Sequence, residues 1–233
     1  MNGSFAVTAA QLVLRSDSLE LVSEKDNYVS RGGYKLDHAL SSFYIKPDQL
    51  NCVDVGASTG GFTDCLLQNG ASTVTTIDVG YGILHERLVS DERVEVYERL
   101  NIRDAAPIFD EKKFQLLVAD LSFISLRLVL EDLVALCKEG TSLVLLVKPQ
   151  FESSHEEASR AKGVIRDPQV WERTLGQVAE EAARVGAALQ GMVVSPLTGA
   201  KGNREFFFHL VNGSKKQLVD IPQELRSMKL NHE

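Results

Sequence analysis

The chain has 233 residues, of which 44% are hydrophobic and 24% are charged, and its formal net charge is −7. This is the composition of an ordinary soluble globular protein with enough apolar residues for one sizeable core. No apolar run is long enough to span a bilayer and no secretory signal is visible, so a cytoplasmic protein without a membrane role is expected. The acidic balance argues against a broad basic surface for nucleic acid, although basic residues clustered at one site would still permit action on RNA.

Three cysteines, Cys52, Cys65 and Cys137, are spread through the chain. None belongs to a CxxC pair, and each lies among apolar residues. This odd, scattered set argues against a disulfide framework and against a zinc site, so no metal is expected. The three thiols are instead predicted to be small buried side chains of the core.

The first thirty residues differ in pattern from the rest of the chain. Residues 1–30 carry no helical periodicity and no glycine motif, and they are predicted to be a short N-terminal segment and linker. A helix is predicted over 34–43, where Leu36, Leu40 and Phe43 recur on one face. After it, apolar strands alternate with helices: strands at 51–55, 74–79, 94–97, 114–119 and 143–147, and helices at 61–69, 126–137 and 168–186.

The end of the chain follows a different pattern. Two strands at 189–195 and 205–211 are joined by the polar loop 196–204, which has no room for a helix, so they are expected to pair antiparallel. The whole pattern predicts a Rossmann-like α/β fold with a mostly parallel seven-stranded sheet and a C-terminal antiparallel pair. One main domain is predicted over 31–215, followed by a tail at 216–233, and the polar segment 152–162 is expected to be mobile.

A glycine-rich loop follows the first strand and points to a nucleoside cofactor. Its glycines allow a tight turn and a close approach to a ligand. The loop lacks the second glycine of the dinucleotide motif and the lysine of a phosphate-binding loop. The acid before the first glycine suits a ligand with a positive end, such as S-adenosylmethionine. The predicted cofactor residues here are Asp54, Gly56, Ala57, Ser58, Thr59, Gly60, Gly61 and Phe62.

Two later strand ends strengthen the nucleoside interpretation. Asp78 ends the second strand, where an acid can accept hydrogen bonds from both ribose hydroxyls. Asn101 follows the third strand with Arg103 and Asp104 close behind, and one of this group is expected near the adenine. The alternative, a tight glycine turn that binds nothing, is disfavoured because the two acids accompany the loop.

Four charged residues, Lys35, Asp120, Lys148 and Glu205, stand in or beside apolar segments where charge is costly. Asp120 closes the fourth strand and Lys148 the fifth. Because the carboxyl ends of parallel strands form the functional edge of such sheets, both are expected at the site. Asp120 is therefore counted with the cofactor-binding residues as well as with the catalytic ones.

The sequence resembles the TlyA family, also called hemolysin A, within the FtsJ-like RNA 2′-O-methyltransferases. Seven stretches carry the resemblance in order: 28–36, 53–63, 77–82, 120–125, 147–152, 163–168 and 199–206. The resemblance implies an enzyme that uses S-adenosylmethionine to methylate the ribose 2′-hydroxyl of ribosomal RNA, with cytidine as the target base and ribosomal RNA or ribosomal subunits as partners. The Lys-Asp-Lys-Glu tetrad of the FtsJ-like enzymes falls on the same four charges: Lys35, Asp120, Lys148 and Glu205.

The chemistry of a ribose hydroxyl suits these residues. The hydroxyl must lose its proton as it attacks the methyl group. Lys148 could accept that proton if held neutral beside the second cation Lys35, or in its charged form could stabilise the developing alkoxide. Asp120 and Glu205 would orient the two lysines. The sequence leaves both roles of Lys148 open.

One departure from the family concerns the start of the chain. Members of the resembled family usually begin with an S4 RNA-binding domain, of which residues 1–27 could be only the last strands. The remaining basic residues near the site are expected to share in RNA binding: Arg31, Lys35, Lys148, Arg160, Lys162, Arg166, Lys201 and Arg204. The competing functions are methylation of a small molecule, a non-catalytic RNA-binding role, and the membrane activity that the name hemolysin suggests.

Overall fold

Seven strands make one sheet in the computed structural model, which describes residues 27–109 and 114–228. The strands are β1 (Asn51–Val55), β2 (Thr73–Asp78), β3 (Val94–Glu98), β4 (Phe114–Ala119), β5 (Cys137–Val147), β6 (Ala187–Val194) and β7 (Phe206–Asn212). Their order across the sheet is β3-β2-β1-β4-β5-β7-β6. The strands β1 to β5 run parallel, and β7 runs antiparallel to both β5 and β6. The predicted fold class is confirmed.

Eight α-helices accompany the sheet in the described part of the chain. They are α1 (Arg31–Phe43), α2 (Gly61–Gln68), α3 (Glu86–Val89), α4 (Leu130–Ala135), α5 (Pro149–Glu152), α6 (His155–Arg160), α7 (Pro168–Arg184) and α8 (Ile221–Ser227). The longest, α7, begins as predicted, because the Asp167 side chain accepts a hydrogen bond from the backbone of Gln169 and Pro168 occupies the first turn. None of the described helices is long and apolar enough to cross a membrane.

The helices bury both faces of the sheet. Alternate residues of one strand point to opposite faces, so Leu117 of β4 packs in the cluster with α4 and α7, while Leu116 packs in the cluster with α1 and α2. Because each face has its own apolar layer, the central strands β4 and β5 contain uninterrupted apolar runs at 116–119 and 143–147. All three cysteines are buried in these two clusters, as predicted.

The helix predicted over 126–137 is shorter than expected. A 3₁₀ turn spans Leu126–Leu128, Val129 leaves the helical region with φ −134°, and α4 then ends at Ala135. Cys137 instead pairs with Phe114 and starts β5, and the register shifts before the strand continues at Ser142. Strand pairing therefore overrides the helical pattern of leucines and valines at its C-terminal end.

Two surface segments have more regular structure than their composition indicates. Residues 152–162, predicted as a mobile polar stretch, contain α6, whose Ser154 and Glu157 form a reciprocal capping box. The predicted tail at 216–233 contains α8, which buries Ile221 in the same cluster as α7. The N-terminal segment predicted over 1–30 lies outside the described residues except for its last four positions.

Phe207 provides a test of this packing. It is fully buried on the α2 side of the sheet, with its ring centroid 6.0 Å from that of Phe62. Truncation in Phe207→Ala is expected to lower the free energy of unfolding by about 3–5 kcal/mol, because it removes apolar contacts and leaves a cavity. Urea denaturation measures the change. Leu218→Ala, at an exposed apolar residue, is the control, and an equal loss in both variants would contradict the assignment of Phe207 to the core.

Candidate active site

Four segments meet at the carboxyl edge of the parallel strands. Gly56 follows β1, Asp78 ends β2, Asp120 follows β4 and Lys148 follows β5. Hydrogen bonds hold this edge together: the Gly56 amide donates to the Ile77 carbonyl at 2.8 Å, and the Asp120 amide donates to the Val55 carbonyl at 3.1 Å. Sheet topology thus brings together residues that are far apart in sequence.

The glycines of the loop after β1 allow a very close approach of neighbouring segments. Gly56 has φ +82°, and a Cβ there would lie 2.7 Å from the Asp120 carbonyl oxygen. At Gly61 a Cβ would lie 2.2 Å from the Ser30 hydroxyl and 2.9 Å from the Gly33 amide nitrogen. The first contact joins the loop to the end of β4, and the second joins it to the start of α1. Any side chain at either position would separate these segments.

Asp54 lies beneath the loop and is completely buried. One carboxylate oxygen accepts a hydrogen bond from the Thr63 hydroxyl at 2.6 Å, and the other, Oδ1, is buried with no partner in the described part of the chain. Burial raises the pKa of this carboxyl group to about 7, the Thr63 hydrogen bond opposes the rise, and the negative charge of Asp120 adds to it. A buried carboxylate oxygen without a donor is suited to a ligand that brings a positive charge.

Two adjoining cavities open at this edge. The larger, of about 480 Å³, combines apolar walls from residues such as Ile83 and Leu100 with the polar groups of Asp78 and Asn101. The smaller, of about 260 Å³, lies between the loop and α1. Four residues line both cavities: Gly56, Ser58, Asp120 and Ser122. An elongated ligand could therefore extend from one cavity into the other.

Most of the predicted cofactor residues line these cavities. The smaller one is lined by Ala57, Thr59, Gly61 and Phe62, and the larger one by Asp78 and Asn101. Asp54 and Gly60 line neither, since Asp54 is beneath the loop and Gly60 packs toward Leu88. Within 27–109 and 114–228, no three His, Cys, Asp or Glu residues are grouped in a way that could hold a metal ion.

Asp78 and Asn101 also shape the loops around the larger cavity. The two carboxylate oxygens of Asp78 accept hydrogen bonds from the Ser58 amide at 2.8 Å and the Gly80 amide at 2.7 Å. Asn101 accepts one from the Arg103 amide at 3.1 Å and caps a 3₁₀ turn. Each of these oxygens has a second lone pair, so binding the loops leaves capacity for a ligand hydroxyl.

The four predicted catalytic charges form two ion pairs, of which Lys35–Glu205 is buried and Lys148–Asp120 is partly buried. Lys35 Nζ lies 2.6 Å from Glu205 Oε2, and Lys148 Nζ lies 2.5 Å from Asp120 Oδ1. Lys35, Lys148 and Glu205 are 9%, 8% and 3% exposed. Such burial requires a partner for each charge, and each of the four has one.

Neighbouring residues hold both pairs in place. The helix α1 carries Lys35, and Glu205 immediately precedes β7. At Gly199 a Cβ would lie 1.9 Å from the Glu205 carboxylate, so this glycine leaves the space that the acid occupies. Lys35 and Asp120 line the same smaller cavity, which brings one member of each pair to a common space.

Three residues of the candidate site were not predicted from the sequence. Thr63 holds Asp54, and the Ser122 hydroxyl accepts a hydrogen bond from Lys148 Nζ at 2.9 Å. Phe123 lines the larger cavity, is 92% exposed and has φ +64°. Ser122 and Phe123 lie in the stretch 120–125 that carries the family resemblance, which was the available signal. Thr63 likewise lies in the stretch 53–63 that carries the resemblance, although its residue type alone does not distinguish it from other threonines on a helix.

The buried Asp54 carboxyl group predicts a pH dependence of stability. Its pKa in the folded chain, about 7, lies above the ordinary value of 3.8, so the folded chain binds the proton more tightly. The resulting stabilisation is complete below the ordinary value and is lost as pH rises through about 7. Compared with Asp54→Asn, the ligand-free wild type should therefore lose free energy of unfolding between about pH 4 and pH 7.

Urea denaturation across that range measures the difference. Asp91→Asn is the matched control, because a hydrogen bond from Arg93 lowers the pKa of Asp91 and its contribution is lost only at lower pH. The free energy of unfolding of Asp91→Asn should change with pH in parallel with that of the wild type over this range. If that of Asp54→Asn also ran parallel to the wild type, the raised pKa of Asp54 would be contradicted.

The known proteins that this chain resembles include methyltransferases. The family of FtsJ-like methyltransferases matches residues 28–212. A Bacillus subtilis protein, YqxC, described as a candidate rRNA methyltransferase, is 44% identical over 84% of this chain and 70% of its own length. The 16S/23S rRNA (cytidine-2′-O)-methyltransferase TlyA of Mycobacterium tuberculosis is 43% identical over 90% of this chain and 78% of its own length.

The chain is also similar in fold to a solved crystal structure. A Lactococcus lactis protein described as a candidate hemolysin superposes with a TM-score of 0.82 at 40% identity, covering 87% of this chain and 99% of that protein. These matches confirm the predicted family, the methyltransferase fold and the S-adenosylmethionine-dependent class of enzyme. The chain belongs to the FtsJ-like methyltransferase family.

Proposed function

We propose that this chain transfers the methyl group of S-adenosylmethionine to a ribose 2′-hydroxyl of ribosomal RNA, at a cytidine. The observation that carries the proposal is that two buried lysines each pair with a carboxylate, Lys35 with Glu205 and Lys148 with Asp120, beside the glycine-loop cavities. Methylation of ribosomal RNA at cytidine 2′-oxygens is what the name of the Mycobacterium tuberculosis relative states, and the proposal carries that substrate to this chain.

The cavities and the buried acid fit the cofactor. The glycine loop, which lines the smaller cavity, suits its amino-acid end, and Asp54, buried beneath the loop, contributes negative charge there without lining the cavity. Asp78 suits the ribose hydroxyls, and Asn101 with the apolar wall of the larger cavity suits the adenine. When bound, S-adenosylmethionine supplies an electrophilic methyl group. The remaining work, which this chain must do, is to hold the hydroxyl in line and to manage its proton.

Lys148 is the residue that we assign to the reacting oxygen. In the transfer, the oxygen would bond to the methyl carbon as the carbon–sulfur bond breaks, and the hydroxyl proton would pass to water. Lys148 Nζ would counter the negative charge that develops on the oxygen. Asp120 and Ser122 fix the position of this ammonium group. Lys35, fixed by Glu205, would add a second positive charge at the smaller cavity. A methyltransferase for a small neutral molecule has no need of paired lysines here.

The distribution of ion pairs supports an RNA substrate. Several arginines form salt bridges with nearby carboxylates, including Arg160 with Glu156 and Arg173 with Glu157. Arg160, predicted to share in RNA binding, is thus neutralised. In contrast, the remaining cations expected near the site form no salt bridge with an acid of the described residues. They are Arg31, Lys162, Arg166, Lys201 and Arg204. Uncompensated positive charge is what the phosphates of RNA pair with.

One buried side chain connects the loops that carry these cations. The Asn203 amide donates to the Gly163 carbonyl at 2.7 Å, and its oxygen accepts from the Ile165 amide at 3.0 Å. This joins the loop with Lys162 and Arg166 to the loop with Lys201 and Arg204. In addition, Arg31 donates to the Thr198 carbonyl at 3.3 Å, beside the smaller cavity. A local basic surface of this kind is compatible with the overall acidic charge.

The central experiment is methyl transfer from labelled S-adenosylmethionine to ribosomal subunits that lack the modification. We expect wild-type chain to label RNA at cytidine 2′-oxygens, and Lys148→Ala to lower the rate by about 100- to 10,000-fold, because the charge that develops on oxygen is no longer countered. Mass spectrometry of digested RNA identifies the modified nucleoside.

The control is Arg173→Ala, which removes an exposed cation that is paired with Glu157 in the described structure. It should keep wild-type activity. If wild-type chain labels neither subunit nor the intact ribosome, or if Lys148→Ala is as active as wild type, the proposed function is wrong.

Phe123 is proposed to stack on a base of the RNA. A large apolar ring that is 92% exposed and a positive φ are both unfavourable, so their combination at the mouth of a cavity favours a function. The ring lies 5.3 Å from that of Phe151, three residues after Lys148, measured between centroids. Exposed aromatic rings beside a catalytic site are typical platforms for unstacked RNA bases.

Replacement in Phe123→Ala is expected to raise KM for RNA about tenfold or more through the loss of one stacking contact, and Phe123→Trp should restore it. Steady-state kinetics with varied RNA measures this. Tyr44→Ala is a closely matched control, because Tyr44 is also 92% exposed with φ +56° but lies at the end of α1 and lines neither cavity. Equal effects of the two substitutions would rule out a stacking role for Phe123.

A further inference from the structure

A buried carboxylate with no assigned role lies close to the catalytic lysine. Glu152 ends the one-turn helix α5, which begins directly after Lys148, and it is 3% exposed. Within this turn the Phe151 amide donates to the Lys148 carbonyl at 2.8 Å. The backbone of Lys148 and the position of Glu152 are therefore parts of the same short rigid element.

Glu152 binds the segment that follows β4. Its Oε1 accepts a hydrogen bond from the Leu126 amide at 2.7 Å, and its Oε2 accepts one from the Ser125 hydroxyl at 2.5 Å. Arg127 adds two contacts, from Nε to Glu152 Oε2 at 3.3 Å and from Nη2 to the Glu152 carbonyl at 3.0 Å. Both oxygens of this buried acid are thus occupied by donors from residues 125–127, which offsets the cost of burying its charge.

The two segments joined by Glu152 carry the whole Lys148 side of the site. The loop that ends at Ser125 begins with Asp120, which pairs with Lys148, and contains Ser122, which accepts from the same Nζ. It also contains Phe123, which packs on Phe151 of α5. The segments therefore meet at the ion pair, at the aromatic pair and at the Glu152 carboxylate. The first two contacts reach the cavities through Asp120 and Phe123, whereas Glu152, like Lys148 and Phe151, lines neither cavity.

We infer that Glu152 is a positioning residue, which sets the geometry of the Lys148–Asp120 pair by holding residues 120–127 against α5. The inference rests on the proposed function, because it concerns the reaction assigned to Lys148. Glu152 itself contacts neither cavity, so its effect passes through the two segments. The loop residues Leu121 and Ile124 line the larger cavity, and the same displacement should therefore also weaken cofactor binding.

The test compares Glu152→Gln with Glu157→Gln in the full chain. Both replace a glutamate that is paired with an arginine by its neutral isostere, but Glu157 pairs with Arg173 in α7 and caps α6. In Glu152→Gln, one carboxylate oxygen becomes an amide NH₂ group. That group cannot accept the hydrogen bond from Ser125 or Leu126, and it faces the donor instead. We expect kcat to fall by about 10- to 100-fold, since small misplacements of catalytic groups have effects of this size, with KM for RNA nearly unchanged. Glu157→Gln should match wild type.

Two milder substitutions keep the inference testable if Glu152→Gln fails to fold. Ser125→Ala removes one donor to Glu152, and Arg127→Met removes a half-exposed partner, so neither leaves a buried charge without any contact. Both should lower kcat, and Arg127→Lys, which retains a cationic donor, should recover most of it. A merely structural role would show as a lower unfolding temperature with wild-type kcat in the folded protein, and that result would overturn the inference.

Binding of S-adenosylhomocysteine separates this inference from the proposed function. Calorimetry needs no RNA, and we expect a several-fold weaker affinity in the Glu152, Ser125 and Arg127 variants but not in Glu157→Gln. If wild type methylates no RNA while these affinities fall, the proposed substrate is wrong and the positioning role stands. If kcat and affinity are both unchanged in folded variants, the positioning role is wrong whatever the substrate.

Discussion

The close approach of the loop after β1 to the end of β4 is the contact on which the site depends. Backbone hydrogen bonds from Gly56 to Ile77 and from Asp120 to Val55 hold three parallel strands in register where they end. A Cβ at Gly56 would lie 2.7 Å from the Asp120 carbonyl oxygen, so this approach requires glycine. Because of it, one residue, Asp120, can line both cavities and also pair with Lys148.

Buried charge is distributed around this contact in matched sets. Lys35 with Glu205 and Lys148 with Asp120 form two ion pairs, while Glu152 is satisfied by donors from residues 125–127. Such groups add little to stability compared with apolar residues of the same size, because desolvation offsets their attraction. In the proposed reaction, these fixed charges would counter the negative charge that develops on the ribose oxygen. Asp54 differs, since one of its oxygens has no donor among the described residues.

Sequence patterns predicted the architecture well for a physical reason. Strands buried on both faces are rich in apolar runs, and helices between them show one apolar face. Both kinds of element can therefore be predicted from short stretches of sequence. The differences lie where a tertiary contact or a local helix cap outweighs the composition of a segment. Cys137 leaves its helical pattern to pair with Phe114, and the polar segment 152–162 contains a helix that its own capping box stabilises. The surface position of that helix explains its polar composition.

The sequence by itself determined the directions of the strands, and it predicted a nucleoside type of cofactor and four charged residues at the site, because each depends on residue type and spacing along the chain. The order of the strands, with β7 between β5 and β6, was not predicted. Only the tertiary structure decided how those charges pair. Lys35 and Glu205 are 170 positions apart, and no local pattern indicates that they touch. The exposure of Phe123 and the contacts of Glu152 likewise depend on how two loops from different strands meet. Such contacts are set by the packing of the whole sheet, which brings distant segments to one edge.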